Sequence, residues 1–146
     1  VYNAELTRVF AGVLQQLGVH RALVVHGDDG LDEITGTTTT TVSELKQGEV
    51  EHYTLDPREY IEDYCDPADL VGGEPVENAG LVRAVLDGEE GPRRRVAQLN
   101  AAAGIYVEGL AEDMQQAYEL ARASVDDGNA LNKLAAMAEF TQAHAP

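Results

Sequence analysis

The sequence predicts an α/β fold, in which a partial mixed sheet of about three strands packs with helices and the C-terminal half is helical. Three observations lead to this prediction. An apolar stripe at helical spacing is followed at once by a short apolar strand, two further strand-like runs flank a turn, and the residues after Gly72-Gly73 repeat at helical spacing. The 146 residues suffice for one domain with a core. Because three strands are few for this many helices, the sheet is either small or completed by strands outside this chain.

The first helix is predicted from apolar residues at three- and four-residue spacing, which we expect to form its buried face. Asn3 can cap its beginning, and Gly18 can end it. The residues expected to be buried are Leu6, Val9, Phe10, Val13, Leu14 and Leu17.

Two strand regions follow this helix. Residues 21–26 are apolar on both faces and are stopped by Gly27, a pattern typical of a buried parallel strand. Residues 37–42 are β-branched and residues 50–55 form a second run, with residues 46–48 as a turn between them. We therefore expect a two-stranded antiparallel hairpin in this part of the sheet.

The rest of the chain is predicted to be helical. A short helix is expected over residues 58–65, followed by a loop and four longer helices. Pro75 and Pro92 suit the first turns of two of these helices, and Asn129 can cap the last one. The residues expected to face the core are Leu81, Val82, Val85, Leu86, Val96, Leu99, Ala103, Tyr106 or Val107, Leu110, Met114, Ala117, Ala121, Leu131, Leu134 and Ala138.

Composition limits the partners and the compartment. The formal net charge of −16 would repel a polyanion, so we expect no nucleic-acid partner. No apolar run approaches the roughly 18 residues that span a bilayer, and no basic-plus-apolar leader opens the chain, so no membrane partner is expected. Cys65 is the only cysteine, which indicates a reducing, cytoplasmic location. We interpret it as a partly buried small hydrophobic residue and not as a nucleophile.

The segment with chemical character lies directly after the first strand, over residues 27–34. It contains two glycines and four acidic residues, so it is predicted to be a loop at the carboxyl end of that strand, where ligands bind in open α/β sheets. Asp32 and Glu33 are adjacent carboxylates of the type that holds Mg²⁺ together with waters and phosphates. On spacing alone, an exposed acidic loop without a ligand is the commoner interpretation. His26 is interpreted as a packed histidine at the strand end.

Other polar residues leave alternatives open. Arg93-Arg94-Arg95 is the one basic cluster, and a solvated helix face is favoured over a phosphate site. Asn78 and Asn100 lie within helical patterns, where each could cap or bridge the backbone as readily as contact a ligand.

Three segments of the chain together match one protein family. Residues 24–33, Val-Val-His-Gly-Asp-Asp-Gly-Leu-Asp-Glu, resemble the HG-x-DG-(L/M)-DE signature of anthranilate phosphoribosyltransferases. Gly72-Gly73 with residues 77–79 (Glu-Asn-Ala), and residues 96–102 (Val-x-x-Leu-Asn-Ala-Ala), are similar to the GG…ENA and V-x-LNAA segments of that family. The order and spacing match over essentially the whole chain, which makes the resemblance far more specific than the acidic pair alone.

The resemblance implies a reaction and a cofactor. Members of this family transfer the 5-phosphoribosyl group from phosphoribosyl diphosphate to the amine of anthranilate, in tryptophan biosynthesis, and release diphosphate. The resemblance implies that Asp32 binds one Mg²⁺ and that Glu33 binds this ion and a second. No covalent nucleophile is expected, so no catalytic residue is assigned. The intact protein is expected to be a homodimer.

The family pattern is incomplete in this sequence. Its glycine-rich phosphate loop (GTGGD), its Asn-x-Ser-Thr and Lys-His-Gly-Asn segments and its anthranilate-holding arginine normally lie upstream, and none of them occurs here. We therefore expect residues 1–146 to form the C-terminal part of the α/β domain, without the N-terminal helical domain and the phosphate loop. We expect this fragment to be inactive alone, and either to self-associate through an exposed sheet edge or to cover that edge by rearrangement.

Two alternatives to this interpretation stay open at the level of the sequence. One is a related transferase that resembles the nucleoside phosphorylases, which share the fold. The other is a non-catalytic acidic interaction domain.

Overall fold

A computed structural model describes residues 1–145 of the chain. Within these residues the chain forms three strands, six α-helices and one 3-10 turn. Their order is α1 (Ala4–Gln16), β1 (Arg21–Gly27), β2 (Thr40–Lys46), β3 (Glu49–Leu55), the 3-10 turn (Pro57–Glu59), α2 (Pro67–Leu70), α3 (Pro75–Leu86), α4 (Pro92–Glu108), α5 (Met114–Asp126) and α6 (Asn129–Ala143).

The three strands form one sheet in the order β1-β2-β3. The predicted hairpin is confirmed, because β2 and β3 are antiparallel and Lys46 pairs with Glu49 across a two-residue turn. Gln47 and Gly48 have φ angles of 53° and 84°, as a hairpin turn with two left-handed residues requires. The strand β2 begins at Thr40 and not at Thr37, because the earlier threonines belong to the loop before it.

The expectation of a parallel first strand is wrong for the described residues. Strand β1 runs antiparallel to β2, with Arg21 opposite Lys46 and Gly27 opposite Thr40. A parallel pair needs a crossover connection that is usually helical, whereas residues 28–39 form an irregular loop that returns the chain directly. Both strand pairs in this part of the sheet are therefore antiparallel.

Helix α1 begins as predicted, but it buries a different face. The Asn3 side chain accepts a hydrogen bond from the Glu5 N–H at 2.8 Å, which confirms the predicted cap. The buried residues of the helix are Thr7 and Ala11, whereas the large apolar side chains of Val9, Phe10, Val13 and Leu17 are 47–74% exposed. Small residues allow α1 to approach the sheet closely, and the Thr7 hydroxyl accepts a hydrogen bond from Ser43 of β2 at 3.0 Å.

The core lies where α4 and α5 pack together and against the sheet. The predicted inner face of α4 is confirmed for Val96, Leu99 and Tyr106, with Ala102 buried where Ala103 was expected. Of the residues predicted for the inner face of α5, Met114, Ala117 and Ala121 are confirmed. The buried cluster comprises Ile34, Val42, Leu55, Ile61, Cys65, Val96, Leu99, Ala102, Tyr106, Ala111, Met114, Ala117, Tyr118 and Ala121.

Helices α3 and α6 lie at the periphery and contain no buried residue. The prediction that both helices contribute to the core is therefore wrong, and Leu110, before α5, is 68% exposed. A stripe of apolar residues predicts only that a helix has a preferred face, and here that face is only partly covered. The helix expected over residues 58–65 is also wrong, since this region contains only the 3-10 turn and bends.

No helix within residues 1–145 combines the length and the apolar character needed to cross a membrane.

Candidate metal site on the acidic loop

The acidic loop, which we define as residues 27–39, leaves the carboxyl end of β1 and folds back on itself. The Gly30 N–H donates to the Gly27 carbonyl at 2.8 Å, and the Gly27 N–H donates to the Leu31 carbonyl at 2.8 Å. Gly30 has a φ of 99°, in the left-handed region that favours glycine. A Cβ atom at Gly27 would lie 2.6 Å from a carboxylate oxygen of Asp29, so this position also needs glycine.

Asp29 holds the centre of the loop through its carboxylate. It accepts hydrogen bonds from the Thr35 hydroxyl at 2.5 Å, from the Thr37 hydroxyl, and from the Leu31 N–H at 3.1 Å. Burial by itself raises the pKa of Asp29, but the hydrogen bonds from Thr35, Thr37 and Leu31 outweigh it, so the pKa is lowered. Asp29 is therefore a structural carboxylate that stays ionised at neutral pH.

Asp28 has a similar role one residue earlier. Its carboxylate accepts hydrogen bonds from the hydroxyls of Thr39 and Thr41, the latter at 2.9 Å. The hydroxyls of the four threonines at odd positions from 35 to 41 thus serve two neighbouring aspartates. This arrangement was not predicted, although a run of threonines close to two aspartates was visible in the sequence.

Asp32 and Glu33, the predicted metal ligands, differ from the other two acids of the loop. Both residues are exposed, and within residues 1–145 their carboxylates accept no hydrogen bond and form no ion pair. No group of three or more His, Cys, Asp or Glu side chains in this part of the chain could enclose a metal ion. The pair therefore offers two unengaged carboxylates but no complete protein cage.

Asn100 of α4 fixes the backbone directly after the acidic pair. Its carboxamide oxygen accepts the Ile34 N–H at 2.9 Å, and its amide nitrogen donates to the Ile34 carbonyl at 2.8 Å and to the Val96 carbonyl at 3.0 Å. Ile34 is 1% exposed, so these peptide groups have little access to water. Of the two alternatives for Asn100, the structure shows the backbone bridge, which anchors the loop next to Glu33.

Asn78 of α3 makes the same kind of bridge at the surface. Its carboxamide oxygen accepts the Gly73 N–H at 2.8 Å, and its amide nitrogen donates to the Gly73 carbonyl at 2.8 Å. A Cβ atom at Gly72 would lie 2.6 Å from the Asn78 oxygen, and one at Gly73 would lie 1.9 Å from a carboxylate oxygen of Glu77. The Gly-Gly segment and the Glu-Asn-Ala segment thus contact each other directly.

The remaining candidates have structural roles. Cys65 is 7% exposed, its N–H donates to the Gly36 carbonyl at 2.8 Å, and burial raises the pKa of its thiol, which confirms the interpretation as a buried hydrophobic residue. The Nδ1 atom of His26 lies 2.9 Å from the carbonyl oxygen of Val1, in a partly buried contact that agrees with a packed histidine.

Arg94 corrects the interpretation of the basic cluster as a solvated face. It is 4% exposed, pairs with Asp126 of α5, and donates to the Gly88 carbonyl at 2.8 Å. The neighbouring Arg93 donates to the Val71 carbonyl at 2.9 Å. Both side chains therefore tie α4 to neighbouring segments, which a run of three arginines at a helix start did not predict.

Comparison with known proteins identifies the class to which this fold and this loop belong. Residues 1–131 match the model of the glycosyl transferase family, a/b domain, and the chain belongs to that family. Its curated relatives are proteins named anthranilate phosphoribosyltransferase. The protein from Acetivibrio thermocellus is 45% identical over 97% of this chain, and the one from Syntrophobacter fumaroxidans is 48% identical over 97%. The chain spans 41% and 42% of the length of these two relatives, about two fifths.

Solved structures have the same fold. The anthranilate phosphoribosyltransferase from Thermus thermophilus is 35% identical, with a TM-score of 0.87 over 97% of this chain and 42% of its own. The enzyme from Saccharomyces cerevisiae, solved in complex with PRPP and Mg, has a TM-score of 0.80 over 92% of this chain and 39% of its own. At 23% identity this second likeness establishes the fold alone. The resemblance seen in the sequence is confirmed at the level of the family.

Proposed function

We propose that this chain is the C-terminal part of an anthranilate phosphoribosyltransferase and that Asp32 and Glu33 hold its catalytic Mg²⁺. The single observation that carries the proposal is the division of the acidic loop. The carboxylates of Asp28 and Asp29 accept hydrogen bonds inside the loop, whereas those of Asp32 and Glu33, to which the family resemblance gives the metal, are exposed and unengaged. The glycosyl transferase family and the names of the relatives supply the reaction class.

The donor set fits magnesium. Mg²⁺ prefers oxygen ligands and is usually held by one or two carboxylates, with waters and substrate phosphates completing its shell. Asp32 and Glu33 supply two carboxylates, and the described residues supply no third ligand nearby, so an ion would bind well only together with a phosphate-bearing substrate. We propose that Asp32 binds one ion and that Glu33 binds this ion and a second.

The proposed reaction transfers the 5-phosphoribosyl group from phosphoribosyl diphosphate to the amine of anthranilate, with diphosphate leaving. Bound magnesium supplies positive charge that stabilises the departing diphosphate. The contribution of this chain is to present two ionised carboxylates in a fixed position, because Asn100 anchors the backbone at Ile34 and Asp29 closes the preceding turn. No residue of the chain is assigned as a nucleophile, and Cys65 is buried away from solvent.

We also propose that the chain cannot complete the reaction alone. The phosphate-loop motif GTGGD, which the family resemblance implies, does not occur among the 146 residues, and the chain covers about two fifths of its relatives. We expect no turnover with anthranilate and phosphoribosyl diphosphate, and a cytoplasmic location for the biosynthetic enzyme. Self-association through the outer edge of β1, and a homodimer of the intact enzyme, stay predictions that sedimentation analysis would test.

Calorimetry tests the metal site. Mg²⁺ is titrated into the chain in the presence of diphosphate, and the wild type is compared with the double variant Asp32→Ala/Glu33→Ala. We expect saturable heat for the wild type and loss of that heat in the variant, because both protein ligands are gone. The matched control is Glu49→Ala/Glu51→Ala, which removes the same charge from two exposed residues of β3 and should bind like the wild type.

The outcomes of this experiment are distinct. Equal heats for the wild type and the Asp32/Glu33 variant would refute the assignment and favour an acidic interaction domain. Equal losses in both double variants would show that the net charge attracts Mg²⁺ without a site. A turnover rate typical of enzymes from the 146-residue chain would refute the proposed division of the active site.

A further inference from the structure

A cavity of about 260 Å³ lies on the face of α4 that points away from the acidic loop. Gln98 lines this cavity, whereas Asn100 two positions later binds the acidic loop. Two residues of an α-helix are separated by about 200° around its axis, so the two side chains project from opposite faces. The cavity is therefore separate from the proposed magnesium site.

The cavity, which we call the arginine pocket, gathers positive charge in a strongly acidic chain. Arg94, Arg95 and Arg122 line it, which is three of the ten basic residues of a chain with a net charge of −16. Arg94 and Arg122 are paired with carboxylates, Arg94 with Asp126 and Arg122 with Glu119. Arg95 makes no ion pair and no side-chain hydrogen bond within residues 1–145.

The acidic groups at the pocket do not neutralise Arg95. Glu62 and Glu90 are the two carboxylates that line it, and Glu90 lies 3.2 Å from Arg94. Both glutamates are exposed, so water screens their charges. The half-buried Arg95 guanidinium is left as the cation of the pocket without a partner.

Two buried donors at the pocket also lack partners. Gln98 is 3% exposed, and its amide nitrogen finds no acceptor within the described part of the chain; the same holds for the Nε atom of Arg94, which is 4% exposed. Buried polar groups are nearly always hydrogen-bonded, and leaving one unpaired is costly. Both residues line the pocket, so a small rotation of either side chain would bring its donor to an acceptor bound there.

Two tyrosines complete the wall. The rings of Tyr60 and Tyr118 lie with their centroids 6.0 Å apart, and the Tyr118 hydroxyl lies 3.5 Å from the Gln98 carboxamide oxygen, to which it donates. Burial raises the pKa of Tyr118 and the nearby arginines oppose this, so the phenol remains a neutral donor at pH 7. The lining therefore presents hydrogen-bond donors, one unpartnered cation and aromatic surface.

We propose that the arginine pocket is a binding site for a small oxyanion, a phosphate or carboxylate group carried by a small metabolite. Arg95 provides the charge that attracts the oxyanion, and its planar guanidinium suits two oxygens of one group. The Gln98 amide and the Arg94 Nε–H supply the donors that now lack acceptors. The volume of about 260 Å³ admits a small metabolite that carries one such group.

The test is a calorimetric titration of inorganic phosphate into the chain, with chelator present so that no metal takes part. Acetate replaces phosphate in a second titration and distinguishes phosphate from carboxylate recognition. We expect saturable binding by the wild type, with Arg95→Gln roughly tenfold weaker because a charge-assisted contact is lost. Arg83→Gln is the matched control, since it removes one positive charge from an exposed site on α3 and should leave affinity unchanged within about twofold.

A second variant guards against a folding artefact. Gln98→Leu removes the unpaired amide without changing the charge, and we expect several-fold weaker binding with the far-ultraviolet circular dichroism of the wild type. Saturable binding that Arg95→Gln and Gln98→Leu both leave intact would overturn the proposal, as would equal losses in Arg95→Gln and Arg83→Gln. Absence of saturable binding of both anions to the wild type would also overturn it. Retained phosphate binding in Asp32→Ala/Glu33→Ala supports the separation of the two sites, and its loss would contradict it.

Discussion

The two pairs of acidic residues in the acidic loop carry the same charge but differ in their hydrogen bonds. Asp28 and Asp29 accept hydrogen bonds from four threonine hydroxyls and one backbone N–H, whereas Asp32 and Glu33 accept none from the described residues. The first pair holds the shape of the loop, and the second makes no side-chain contact of this kind with the described residues. A cluster of acidic residues in a sequence therefore does not identify a metal site. Hydrogen bonds within the fold decide which carboxylates remain available to bind a ligand. Substitutions in and around the loop test this division.

The largest effect is expected from the residue that anchors the loop. Asn100→Ala removes three hydrogen bonds and leaves buried peptide groups of Ile34 unpaired, so we expect a loss of roughly 3 kcal/mol in the free energy of unfolding. Urea denaturation measures it. Asn78→Ala is the matched control, because its bridge to Gly73 is exposed and water can replace it, which limits the loss to about 1 kcal/mol. Equal losses of unfolding free energy in Asn100→Ala and Asn78→Ala would show that burial of the Asn100 hydrogen bonds is unimportant.

The structural carboxylate should matter more for stability than the proposed ligands do. Asp29→Ala removes the acceptor of two threonine hydroxyls and of the Leu31 N–H, and we expect a loss of about 2 kcal/mol in the free energy of unfolding. The measurement is again urea denaturation at neutral pH. A loss below about 0.5 kcal/mol, the range of ordinary surface substitutions, would contradict the structural role of Asp29.

The stabilising contribution of the Asp29 carboxylate is expected to depend on pH. The pKa of Asp29 in the folded chain is lowered from 3.8, so its stabilising contribution is fully present above that value and is lost as the pH falls through the lower, folded pKa. The difference in unfolding free energy between the wild type and Asp29→Asn should therefore be constant between about pH 7 and pH 5 and shrink below about pH 4. A difference that does not change on acidification would exclude ionisation of Asp29 as its cause.

The smallest effect on stability is expected from the pair proposed to bind magnesium. Asp32→Ala/Glu33→Ala removes no hydrogen bond of the described structure, so the free energy of unfolding should change by less than about 0.5 kcal/mol. A small increase in the free energy of unfolding would also agree with the different roles of the two pairs. The substitutions remove two negative charges from a chain whose net charge is −16. A loss as large as that of Asp29→Ala would show that both pairs hold the loop together.

Helix α1 shows which structural features a sequence pattern can predict and which it cannot. The cap at Asn3 was predictable because capping is local: a side chain and the N–H two residues later are enough. The buried face was not predictable, because Thr7 and Ala11 are inside only where the sheet approaches them. The direction of β1 was missed for a similar reason, since the course of residues 28–39 decides whether the next strand returns parallel or antiparallel.

The amino-acid sequence was enough to predict the first helix, the hairpin, most of the later helices and the family, because local hydrogen bonds, backbone preferences and motifs in register are properties of short segments. It also singled out Asp32 and Glu33. Only the tertiary structure decided that these carboxylates are unengaged while Asp28 and Asp29 are held by threonines, that Arg94 is buried, and that unpaired donors line a pocket behind α4. Such distinctions depend on which groups meet across the fold, and a side chain becomes structural or available only through those contacts.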